Sequence, residues 1–148
     1  MQYEYDSLDR VISKTIDGQR IYYDYGPQGM TSLNGMISID RDENGNPIEK
    51  TYGNGLVSTF LYDGRQRPVG IQTGGLQNFE YTYNRVGSIT QIDDNVRGDV
   101  LQIGYDNLDR VVSATRTGAN AYAVDYEYDT VGNIVSVTSG GEVMGRTF

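Results

Sequence analysis

Tyr126-Glu127-Tyr128-Asp129-Thr130-Val131-Gly132-Asn133-Ile134-Val135 holds the pattern that decides the fold. Its opening residues run apolar, polar, apolar, the period of a strand with one demanding face. Asp129 can accept hydrogen bonds from backbone N–H groups one or two residues on, and Gly132 tolerates the left-handed conformation that closes a turn. Ile134-Val135 then starts a return strand. The stretch predicts a β-hairpin.

The same signature opens the chain as Tyr3-Glu4-Tyr5-Asp6-Ser7-Leu8-Asp9-Arg10-Val11 and keeps returning. Intact pairs are Tyr5-Asp6, Tyr23-Asp24, Tyr62-Asp63, Tyr105-Asp106 and Tyr128-Asp129, with degenerate copies at Arg41-Asp42 and Tyr83-Asn84. The aspartate position falls at 6, 24, 42, 63, 84, 106 and 129, at spacings of 18, 18, 21, 21, 22 and 23. Three residues earlier stand Tyr3, Ile21, Ile39, Phe60, Tyr81, Ile103 and Tyr126, all large and apolar or aromatic. Two copies depart from the pattern: Tyr25-Gly26-Pro27-Gln28-Gly29 lengthens one turn, and Asp63-Gly64-Arg65-Gln66-Arg67 lacks a late glycine. Second turns, such as Asp17-Gly18, Gly53-Asn54-Gly55 and Gly140-Gly141, join each hairpin to the next.

Seven units of two strands predict about fourteen antiparallel strands and almost no helix, in a single array over residues 1–148. So many strands do not stay flat, so the expectation is a strongly twisted, curved, spiral sheet in which each hairpin pairs with its neighbours. The inward face stays open, because Val11-Ile12 and Val111-Val112 put apolar residues at successive positions. One further repeat step would set Phe148 at the next apolar position, so the chain reads as a piece of a longer array ending in an unfinished hairpin. Completion of that hairpin by another copy would give head-to-tail oligomers or fibres.

Composition agrees and excludes much. Across 148 residues, 13 of the 16 aromatics are Tyr and 19 residues are Gly, a sheet-and-turn composition. With 12 Lys plus Arg against 20 Asp plus Glu, the net charge of −8 repels nucleic acid and anionic membrane surfaces. No apolar run suits a membrane span. His, Cys and Trp are absent, which removes thiol catalysis, disulfides, imidazole bases and the usual zinc ligands.

Other chemistry is weaker than the repeat. Carboxylates recurring at each turn form a ladder, whereas glycosidase carboxylates must converge on one bond. Asp40-Arg41-Asp42-Glu43-Asn44-Gly45-Asn46 mimics the start of a calcium loop, but Pro47 holds the eighth place and Thr51 the twelfth, where a bidentate Glu belongs. Asp93-Asp94-Asn95 is a similar acidic turn. No metal or cofactor is expected. The Tyr series belongs to the sheet packing; Tyr25, Tyr52 and Tyr122 stand outside the repeat register and are the candidate ligand contacts.

The units at Tyr3–Val11 and Tyr126–Ile134 resemble the YD repeat of the Rhs (rearrangement hot spot) family: Tyr-Asp, two residues, Gly, Arg or Asn, then Leu or Ile. The resemblance covers all seven units. It implies a hollow β-shell from a secreted or cell-surface protein, as in Rhs toxins, the cocoon components of Tc toxins, and teneurins. In toxins such a shell encloses an effector domain, and glycan binding is attributed to some repeats. No stretch here resembles the aspartyl self-cleavage segment that ends Rhs shells. The expectation is therefore a non-catalytic piece of shell wall, with neighbouring repeats, an enclosed domain or glycans as partners.

Overall fold

The computed structural model describes residues 1–143; residues 144–148, and Phe148 with them, lie outside the described part. The chain divides into two compact units, Met1–Gly74 and Gly75–Phe148. In the first, β1 (Gln2–Tyr5), β2 (Val11–Ile16), β3 (Gln19–Gly26), β4 (Gly29–Leu33), β5 (Ile37–Arg41), β6 (Pro47–Tyr52), β7 (Val57–Tyr62) and β8 (Pro68–Thr73) pair in chain order, each antiparallel to the next. In the second, β9 (Gln77–Tyr83), β10 (Ile89–Asp94), β11 (Asp99–Tyr105), β12 (Val111–Thr117), β13 (Tyr122–Tyr128), β14 (Ile134–Ser139) and β15 (Glu142–Val143) do the same. The fold is all-β, and no helix occurs among the described residues. The seven hairpins give the expected fourteen strands, and among the described residues β15 adds a short partner to β14 after the seventh hairpin.

Each of the seven repeat hairpins carries a bulge at the same place, between the two residues that precede the turn position. Glu4 faces Ser13 while Tyr5 faces Val11, which leaves Ile12 as the extra residue. Gly104 with Ser113 and Tyr105 with Val111 leave Val112; Glu127 with Ser136 and Tyr128 with Ile134 leave Val135. Two residues thus oppose one. The consecutive apolar residues that blurred the facing pattern are the two sides of this bulge.

Away from the bulges, cross-strand partners share a face, and the two faces differ sharply. One row runs Tyr23, Leu33, Ile37, Tyr52, and another Tyr81, Ile92, Leu101, Arg116, Tyr122. On the opposite face lie Asp24, Ser32, Ser38, Thr51 and, in the second unit, Thr82, Gln91, Gln102, Thr115. Among the described residues no second layer covers the apolar side within either unit, so no side chain is fully buried and Ile39, at 7% exposure, is the one buried hydrophobic residue. Ladder bonds, turns and same-face neighbours hold such a sheet, rather than a packed interior.

Candidate functional site

Asp106 shows how the recurring corner is built. Its Oδ1 accepts the N–H groups of Leu108 at 2.9 Å and Arg110 at 3.0 Å, and its Oδ2 takes the Arg110 guanidinium at 2.6 and 2.7 Å. Its backbone N–H donates to the Arg110 carbonyl, and Asp109 N–H returns to the Asp106 carbonyl. Asp6 with Arg10 and Asp63 with Arg67 repeat this, while Asn46 and Asn133 replace the arginine opposite Asp42 and Asp129. Asn84, uncharged, accepts from Val86, Gly87 and Ser88 instead.

Six turn bonds need one residue with positive φ, three places after the aspartate or asparagine. Gly45, Gly87 and Gly132 fill it, and Asp9 and Asp109 adopt it at φ 57° and 58°. Gln66 does so too, at 63°: the clamp of Asp63 on Arg67 closes the turn where the sequence offers no glycine.

Electrostatics follow the bonding. The Arg67 side chain, then its backbone N–H, hold the Asp63 carboxyl down at about 2. The Arg110 and Arg10 backbone N–H groups and side chains depress Asp106 and Asp6, and the Asn46 and Asn133 amides depress Asp42 and Asp129. Carboxylates held ionised in this way are poor general acids. The Asp42 oxygens take their hydrogen bonds from Asn44 and Asn46, so the calcium-like segment is a repeat turn; no cluster of three metal-ligating side chains occurs among the described residues.

The tyrosine does the second job. Tyr62 Oη donates to the Pro47 carbonyl at 2.9 Å, Tyr105 to Ile89 at 2.7 Å and Tyr128 to Val111 at 2.7 Å. In each case the acceptor is the first residue of the previous hairpin's return strand, beside its bulge. Each tyrosine therefore latches its hairpin to the one before. Arg110 also lies over the Tyr128 ring at 4.3 Å, joining the corner of one unit to the latch of the next.

Here the second unit corrects the sequence alignment. Tyr25, expected outside the register, donates to the Val11 carbonyl at 3.0 Å and lies under Arg10 at 4.6 Å, so it is the latch. The bulge falls between Asp24 and Tyr25, which puts Gly26 at the aspartate position. Asp24, expected in the turn, is an exposed strand residue opposite Ser32, and the Tyr23 hydroxyl has no hydrogen-bond partner among the described residues. Pro27-Gln28 turns the chain in two residues between paired Gly26 and Gly29, so no aspartate corner is needed there. In the third unit Arg41 replaces the tyrosine and donates to the equivalent Met30 carbonyl at 3.4 Å, while its Nε is buried with no partner.

Tyr52 ends β6, its ring half-buried and its backbone bonded to Leu56 and Gly55. Tyr122 is 43% exposed and lines a cavity of about 210 Å³ with Phe79, Arg97, Asp99 and Arg116. This polar cluster was not legible in the sequence. Asp94 and Asp99 face each other across the β10–β11 hairpin and are nearly buried. Arg97 holds Asp94, Arg116 holds Asp99, and Ala119 N–H donates to Asp99 Oδ1. Burial works against the Asp94 carboxylate, but the Arg97 side chain and backbone outweigh it and keep its pKa below the usual range.

No family model matches the chain, and no curated protein matches it. Solved structures do. In the Tc holotoxin pore of Photorhabdus luminescens carrying the TccC3-D651A mutation, 93% of this chain superposes at 19% identity with a TM-score of 0.81. The crystal structure of TcdB2-TccC3-Cdc42 gives 93%, 19% and 0.79, and that of TcdB2-TccC3 without its hypervariable C-terminal region gives 92%, 15% and 0.62. The chain has the fold of a segment of these Tc toxin components. It spans 7–9% of their length. Cocoon components of Tc toxins are among the proteins to which the YD-repeat resemblance points, so sequence pattern and fold agree.

Proposed function

We propose that the seven hairpin units of residues 1–148 serve as a non-catalytic stretch of wall in a YD-repeat β-shell of a secreted or cell-surface protein, enclosing or displaying another domain. The observation that carries this reading is the latch: the Tyr25, Tyr62, Tyr105 and Tyr128 hydroxyls each tie a hairpin to its predecessor at one repeated site. The carboxylates are spent inside their own turns, as a wall requires and an active site does not. The test is a graft. A TcdB2-TccC3 chimera with this chain in place of its superposing segment is expected to form a shell that shields its contents from added protease. A chimera that folds but leaves its contents open to cleavage refutes the reading.

Exposed Tyr122 beside a cavity with two arginines and two carboxylates supports a second reading, a carbohydrate-binding or adhesive module. Glycan-array binding that is lost in Tyr122→Ala, with the melting curve unchanged, selects it; absence of binding by the unaltered chain selects the wall.

A further inference from the structure

We propose that Asn34-Gly35, the turn between β4 and β5, is a site of spontaneous deamidation and isoaspartate formation, a one-way chemical timer in the sheet. The chain has three Asn-Gly pairs, at 34–35, 44–45 and 54–55. Glycine after asparagine leaves the attacking backbone nitrogen unhindered, so all three have the local sequence for the reaction. The fold separates them.

Gly45 N–H donates to the Asp42 carbonyl at 3.0 Å and Gly55 N–H to the Tyr52 carbonyl at 2.8 Å. Attack at either site must first break that bond. Asn54 is restrained further, because its Oδ1 accepts the Leu56 N–H at 3.1 Å. Gly35 N–H has no acceptor among the described residues, and neither has the Asn34 side chain any partner. Residues 34–36 are all exposed, with Met36 at 62%. Asn34 and Gly35 hold positive φ, 53° and 64°, and cyclisation requires Asn34 to leave that conformation. The Asn34 N–H bond to the Tyr22 carbonyl at 2.8 Å holds the entry to the turn, but beyond it the hairpin is lightly tied: only Ser32 with Ser38 and Leu33 with Ile37 pair β4 to β5, the shortest ladder in Met1–Gly74. Local opening is cheapest where fewest ladder bonds must break.

The reaction needs only water. Gly35 N attacks Asn34 Cγ; the N–Cγ bond forms, the Cγ–Nδ2 bond breaks, and the proton from Gly35 leaves on ammonia. Water then opens the succinimide at either carbonyl, giving aspartate or isoaspartate. Isoaspartate adds a carbon to the main chain inside the turn. That displaces the Met36 N–H bond to Leu33 at 2.8 Å and, with it, the Met36 carbonyl that receives Gly53 N–H at 2.6 Å. The modified joint therefore loosens β4, β5 and the β6–β7 turn together.

The test is incubation of the full chain at neutral pH, followed by peptide mapping for the amide-to-acid mass gain and labelling with an isoaspartyl methyltransferase. Asn34 is expected to convert about fivefold faster than Asn44 and Asn54, the factor that one net backbone hydrogen bond of about 1 kcal/mol is worth. In urea the three sites should convert at similar rates. Asn34→Gly keeps a turn that accepts positive φ and should abolish the isoaspartate label at this site alone. Conversion of Asn44 or Asn54 at the rate of Asn34 in the folded chain, or no conversion at Asn34, overturns the proposal.

Discussion

Replacing Tyr25 by Phe removes one atom group, the hydroxyl that reaches the Val11 carbonyl at 3.0 Å, and leaves the ring beneath Arg10. The ring's apolar contacts survive, so the loss isolates one neutral hydrogen bond, about 1 kcal/mol net. With a urea slope of about 2 kcal/mol/M, the midpoint should fall by about 0.5 M. Tyr23→Phe is the control. By sequence Tyr23 is the better repeat tyrosine, followed directly by Asp24, yet its hydroxyl has no partner among the described residues. Its removal should leave the midpoint within error. Urea melts of the two variants, with hydrogen exchange at β2 and β3, check this. Equal losses, or a greater loss at Tyr23, would refute the latch and restore the alignment that the Tyr-Asp pair suggests.

Acid should loosen the corners in a defined window. Asp63 has a folded pKa of about 2 against an ordinary 3.8, so its contribution is complete above the ordinary value and fades as pH falls towards 2; Asp63→Asn should flatten the acid limb of a pH–stability curve. Gly118→Ala should cost at least about 2 kcal/mol, since φ is +103° and a Cβ there would overlap Asp99 Oδ1. Gly64→Ala, with nothing within 4 Å of the added atom, should cost less than about 0.5 kcal/mol; thermal melts of the pair decide. Arg41→Tyr gives Met30 a hydroxyl donor and removes a buried, unpartnered Nε but gives up the Arg41 Nη1 bond to the Gly45 carbonyl at 2.8 Å, so stability in the same assay should change by less than about 1 kcal/mol.

Strands and turns were legible because two short-range rules coincide: alternation fixes the strand, and an aspartate three residues before a glycine fixes the corner. The second unit misled because Tyr22-Tyr23-Asp24-Tyr25-Gly26 satisfies the pair rule two residues too early, and Pro27-Gln28 supplies a turn that needs no aspartate. Gln66 was unreadable as a left-handed residue, since its conformation is imposed by Asp63 and Arg67 rather than by its own preference. The Asp94–Asp99 cluster depends on partners 17 and 20 residues from Asp99, Arg116 and Ala119, which no local window joins. Lys14 and Lys50 sit on the apolar face because Tyr3 and Phe60 receive their ammonium groups.

A hydroxyl that reaches back by one hairpin and no farther makes the sheet tolerant of growth in whole steps. Gaining or losing a complete unit leaves every remaining tyrosine within reach of its acceptor. Insertion of a single residue ahead of a bulge swings that ring to the other side and unfastens one seam. Change by duplication and excision of intact hairpins is the route this geometry leaves open.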